Sequence, residues 1–125
     1  MTRRTPTPPD GLDPVAAAKW REVVRVLIDR GDPLDEATRD AVCCYATAWS
    51  RWTAAESEVQ KLGAVIRTQQ GAAAVSPYVT IAAQAQRQLR QWGAVLGLTG
   101  RARKQKADDD RPDPLLRLLK PKATG

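Results

Sequence analysis

Two apolar seams of nearly equal spacing constrain this chain more than any other feature. Ala41, Tyr45, Ala48, Trp52, Ala55, Val59 and Leu62 recur at intervals of 4, 3, 4, 3, 4 and 3 residues. Tyr78, Ala82, Ala85, Leu89, Trp92 and Leu96 repeat at 4, 3, 4, 3 and 4. A period of about 3.5 residues makes a narrow stripe along which one α-helix packs lengthwise on another. Joined by a link of hairpin length, the two helices are expected to fold back antiparallel. Alanines would allow close approach, with Trp and Leu filling the gaps between them.

The helix boundaries are equally explicit. Asp13 followed by Pro14 is an N-cap and first-turn pair, since the carboxylate accepts free amides and Pro has none to leave unpaired. From there Ala16, Trp20, Val23 and Leu27, with Val24 and Ile28 beside them, form one apolar stripe that Gly31 ends. Trp20 reads as a core anchor in preference to a base-stacking platform. Asp35 caps the second helix, which meets no Gly or Pro until Gly63. At about 1.5 Å per residue it would run roughly 40 Å, more than a small domain needs, and such overhang invites oligomerisation. Cys44 and Trp49 flank its seam and either widen it toward the first helix or face another subunit. Ser76 and Pro77 open the third helix, and Gly97 closes it.

Between Gly63 and Val75 the helical pattern breaks into VIRT, QQG and AAAV. This predicts a β-hairpin turning at Gly71, with Arg67, Gln69 and Gln70 near its tip. An irregular link remains the alternative, because an Ala run has weak strand propensity.

Charge is unevenly placed along the 125 residues, whose net charge is +6. Asp10 to Glu58 holds ten acids against six bases. Val59 to Ala107 holds eight bases and no acid: Lys61, Arg67, Arg87, Arg90, Arg101, Arg103, Lys104 and Lys106. Such asymmetry points to a polyanionic partner, although a basic surface serving solubility would look the same. Arg87 and Arg90 leave the third-helix seam on its outer face, either as a solvated surface or as part of a nucleic-acid groove. The run RARKQK, which follows a Thr99 able to cap a short fourth helix, has the cation density that neutralises phosphates without reading bases. No aromatic is interleaved, which argues against a single-strand stacking platform.

An enzyme reading fails on inventory. The chain has no His, no Walker-type phosphate loop, no nucleophile elbow and no paired carboxylates in an apolar context. Without His, and with only the adjacent Cys43 and Cys44, no usual zinc site can be built, so neither metal nor cofactor is expected. Asp108, Asp109 and Asp110 read as a solvated acidic spacer. Vicinal cysteines fit a reducing compartment, and no signal peptide or membrane span is expected, so the reading is a soluble cytoplasmic protein without membrane contact.

Three regions follow. Residues 1–12, rich in Pro, are expected to be a disordered arm, where Arg3 and Arg4 could touch an anion. Residues 13–106 form the helical domain. Residues 107–125 are a flexible tail holding Leu115, Leu116, Leu118 and Leu119. Four leucines in a polar tail are costly to expose. They would dock on the chain's own domain or, as the isolating Pro112 and Pro114 favour, in a partner's groove.

The order of a Gly-bounded connector, a Ser76-Pro77 helix start, a Leu-bearing helix, Gly97-Leu98-Thr99 and Arg101-x-Arg103 resembles the P27-like family of phage terminase small subunits. The resemblance spans Trp20 to Lys106. Ser76 stands where the family often has Asn, and Gly100 where it often has Pro. It implies a mainly α protein in which a long antiparallel helix pair, joined by a short β-hairpin, forms a ring-shaped homo-oligomer. Such a ring engages double-stranded viral DNA as packaging begins, in the host cytoplasm, and regulates a large terminase subunit with ATPase and nuclease activity. Charge placement then assigns DNA contact to Arg67, Arg87, Arg90, Arg101, Arg103, Lys104 and Lys106. The oligomer interface would fall to Trp49 and Trp52, and large-subunit docking to Leu115, Leu116, Leu118 and Leu119. A stand-alone DNA-binding regulator working as monomer or dimer, and an adaptor without DNA affinity, are the alternatives.

Overall fold

The computed structural model describes residues 6–100. They form α1 (Pro14–Asp29), α2 (Glu36–Leu62), β1 (Val65–Arg67), β2 (Ala73–Val75) and α3 (Pro77–Val95). Each helix starts at the cap the residues dictate. Asp13 Oδ1 accepts from Ala16 N at 2.9 Å, Asp35 Oδ1 from Thr38 N at 2.8 Å, and Ser76 Oγ from Tyr78 N at 3.3 Å. Gly31 and Gly71 take φ values of +78° and +82°, a region L-residues avoid, so the turn after α1 and the hairpin tip both depend on glycine.

The core lies at one end of the molecule. Ala16, Trp20, Val23, Val24 and Leu27 of α1 meet Ala41, Val42 and Ala46 of α2, and Leu96 closes the cluster. Full burial of Trp20, Val24 and Leu27 contributes about 1.5–3 kcal/mol for each side chain. Leu12, the last residue of the expected arm, also packs against this cluster.

Beyond the core, α2 and α3 continue as a two-helix stem. Tyr45 lies beside Gly93, and Arg51 and Gln88 line one groove, so the pair runs antiparallel. Ala48 and Ala55 on α2 and Ala82 and Ala85 on α3 are buried, as expected for helices brought close by small residues. Leu62 departs from the seam and is 56% exposed. Counting outward from the Tyr45–Gly93 pair, it is level with the N-cap Ser76, so no turn of α3 remains to cover it. At the opposite end α2 outruns α3, since Glu36 to Asp40 extend past the level of Gly97. The excess length of α2 therefore sits beside α1 and the loop after it.

The link is a hairpin. β1 pairs antiparallel with β2, matching Val65 to Val75, Ile66 to Ala74 and Arg67 to Ala73. Its base is closed by Ser76 N donating to Ala64 O at 2.8 Å, and its tip by Thr68 N donating to Ala72 O at 2.8 Å. Ile66 and Ala74 are half-buried, whereas Val65 and Val75 form an exposed pair on the other face.

Candidate nucleic-acid interface

Only three of the seven expected DNA-contact residues lie in the described part of the chain. Arg87 and Arg90 are exposed one turn apart on α3, whose only charged side chains they are. Buried Ala82 and Ala85 occupy the opposite side, so both guanidinium groups project away from α2. Arg67 is exposed on β1, at the far end of the stem. At about 1.5 Å per residue, Arg87 and Arg90 sit roughly 15–20 Å along α3 from the hairpin base, so the fold does not merge the three into one patch. None of them forms an ion pair among the described residues. Arg21 and Arg25, exposed at i and i+4 on α1, are likewise without one. Sequence reasoning passed over this pair, although its spacing on the polar side of α1 was visible.

Residues 6–100 carry ten Lys or Arg and ten Asp or Glu, so they are formally neutral. The +6 of the whole chain therefore belongs to residues 1–5 and 101–125, which carry ten bases and four acids. Arg101, Arg103, Lys104 and Lys106 follow directly on the last described residue and lie outside the described part. So do Leu115, Leu116, Leu118 and Leu119, the arm residues Arg3 and Arg4, and the body of any fourth helix.

Arg30 holds the last turn of the chain before the basic run. Its Nη1 donates to Gly97 O at 2.6 Å and its Nη2 to Leu96 O at 2.9 Å, and Nη2 also bonds Asp32 Oδ2. The last carbonyls of a helix have no partner within it, and a cation there also complements the helix dipole. Arg30 thus caps α3 from another element. Its role was invisible in sequence, because the partners stand 66 and 67 residues away.

The two tryptophans expected at an oligomer interface are half-buried within the protomer. Their ring centroids are 5.3 Å apart and tilted by 53°. Lys19 Nζ sits 3.8 Å from the Trp49 ring centroid and 3.3 Å from Glu22 Oε2, so Trp49 turns its face to α1. A second tie between these helices runs from Ser50 Oγ to both Asp13 carboxylate oxygens, at 2.9 and 2.8 Å. The Ala16 amide and then the Ser50 hydroxyl hold the Asp13 carboxyl below its ordinary value. At Asp35 the hydroxyl and amide of Thr38 act the same way.

Burial pushes the Cys43 thiol up, which keeps it protonated and unreactive, and the neighbouring Trp20 indole offsets part of this. Trp20 Nε1 is buried and makes no hydrogen bond among the described residues. Burial also raises the Tyr45 hydroxyl. Among the described residues no three His, Cys, Asp or Glu side chains are grouped to hold a metal, and no helix is long and apolar enough to cross a membrane.

These features define a small, mainly helical protein built on an antiparallel helix pair, with cations on its outer surface and at its ends. The chain belongs to the phage terminase small-subunit family, whose model matches residues 16–111 and so spans nearly all of the fold and the basic run after it. Its role is accordingly in phage DNA packaging. No curated protein and no solved structure matches the chain.

Proposed function

We propose that this chain is a P27-like terminase small subunit that assembles as a ring, binds double-stranded viral DNA at the start of packaging and regulates a large subunit bearing the ATPase and nuclease. It acts in the host cytoplasm and is itself non-catalytic. The observation that carries the DNA reading is the partition of charge. A neutral fold, anchored at its α3 end by Arg30, hands its whole positive excess to the termini, and RARKQK begins one residue after Gly100. Four cations per copy are a modest phosphate ligand, but a closed ring repeats them around a symmetry axis and so multiplies their effect.

In this reading Arg101, Arg103, Lys104 and Lys106 supply most of the phosphate contacts. Arg87 and Arg90 extend them along α3, and Arg67 contributes from the hairpin. Trp49 and Trp52, both half-buried, serve subunit contacts. Leu115, Leu116, Leu118 and Leu119 dock the large subunit. The test is replacement of Arg101, Arg103, Lys104 and Lys106 together by Ala. DNA affinity falls, and the slope of log affinity against log salt drops by about 3 to 4 for each copy that engages DNA with all four. An unchanged slope would remove the basic run from the interface.

A further inference from the structure

The end at which α2 outruns α3 is also the end at which the described residues stop, at Gly100. Because α3 stops at Val95, the first turns of α2 pack on α1 and the loop after it but have no turn of α3 beside them, and a groove of about 200 Å³ opens there. Leu27, Pro33, Ala37, Ala41, Val95 and Leu96 line it, with Asp32 and Asp35 at its rim. Val95 on its wall is 61% exposed. The surroundings are acidic, since residues 29–40 carry five acids and two bases. Asp32 is bonded to Arg30 and Asp35 caps α2, while Glu36 and Asp40 on the same two turns form no ion pair among the described residues.

One stretch of this chain has the complementary chemistry. Residues 115–122, LLRLLKPK, contain four leucines and three cations, Arg117, Lys120 and Lys122, and no acid. We propose that the groove between the start of α2 and the end of α3 is the seat of Leu115–Leu119 of the same chain when no other protein holds them. The leucines fill the uncovered track along α2, and Arg117 and Lys120 face its acidic rim.

Reach and concentration favour this occupant. Fourteen residues, 101–114, lie between Gly100 and Leu115. A chain of that length reaches at most about 50 Å. Val95 is five residues before Gly100, hence within about 18 Å of it. Tethering at this distance gives an effective concentration of about 1 mM, so a segment that binds as a free peptide with a Kd of about 0.1 mM fills its own groove about 90% of the time. The inference goes beyond the docking role given above to the same leucines. It describes the free protein, and it stands or falls whether or not a large subunit is recruited.

Hydrogen exchange measured by mass spectrometry on the full chain and on the full chain carrying Leu116→Asp and Leu119→Asp tests it. Amides in residues 35–41 and 94–98 should exchange about tenfold faster in the variant, with the β-hairpin and the middle of α1 unchanged. Val95→Asp, which alters the groove and leaves the tail intact, should produce the same pattern. Equal exchange in all three proteins would overturn the proposal. So would protection that fades on dilution, since that would assign the occupant to a second copy. Capture of a large subunit is read separately and does not enter this comparison.

Discussion

Arg30→Met is the most informative single change to the fold, because it keeps the length of the side chain and removes only its donors. In the wild-type protein those donors serve Leu96 O, Gly97 O and Asp32. A charged hydrogen bond contributes about 1.5–3 kcal/mol when its loss leaves a buried partner unpaired. Here the Arg30 side chain is 20% exposed, so water reaches part of the site and the ion pair with Asp32 adds little. The two carbonyls therefore dominate, and Arg30→Met should cost about 2 kcal/mol. For a fold of this size that lowers Tm by roughly 8–16 °C. Arg30→Lys keeps the charge but offers a point donor in place of a fork, and should recover about half of the loss. The assay is thermal and urea denaturation at one protomer concentration, since assembly would make Tm concentration-dependent. Amide exchange at Leu96 to Leu98 reports the local effect. A loss under about 0.5 kcal/mol for Arg30→Met would refute the idea that this residue holds the end of α3.

Three further outcomes follow from the same geometry. A Cβ at Gly93 would meet the Tyr45 ring at an ordinary 3.5 Å, so Gly93→Ala should stabilise by about 0.5–1 kcal/mol through helix propensity, while Gly93→Leu should destabilise by about 1–3 kcal/mol; paired urea titrations read both. Asp13→Ala should cost about 1 kcal/mol near neutral pH. Because the Asp13 carboxyl is lowered from 3.8, its contribution is full above that pH and is lost as pH falls through the folded value, so variant and wild type should converge in acid denaturation. Arg87→Ala with Arg90→Ala should leave the far-UV circular dichroism unchanged and reduce the DNA salt slope by about 1.8 for each engaged copy, measured by fluorescence anisotropy.

Local chemistry was legible where one residue type settles the backbone. The caps at Asp13, Asp35 and Ser76, the turn at Gly71 and both ends of α3 follow from side chains that satisfy amides or tolerate positive φ, and these acts need no distant partner. The antiparallel pair followed from matching periods. Three things did not. The stripe of Val42 and Ala46 facing α1 was hidden, because the 3.5-residue seam beside it dominates the pattern of α2 and a second face of small residues adds no clear period. Leu62 fits the seam perfectly by number, yet its burial depends on how far α3 extends, which is a tertiary fact. Arg30 looked like one cation among many, and only the return of α3 to the end of α1 gives it carbonyls to bind. For the candidate interface, the eight-base, acid-free stretch was visible, but not the separation of Arg67 from Arg87 and Arg90, since linear distance does not show on which end of a stem a residue stands.

Assembly is the central claim, because a neutral fold with short basic ends gains strong DNA affinity only through repetition. Native mass spectrometry of the purified full-length chain across a range of salt measures this directly. The expected result is one closed oligomer of fixed copy number that persists as salt rises. A monomer or dimer at every salt concentration would contradict it and favour a stand-alone DNA-binding regulator.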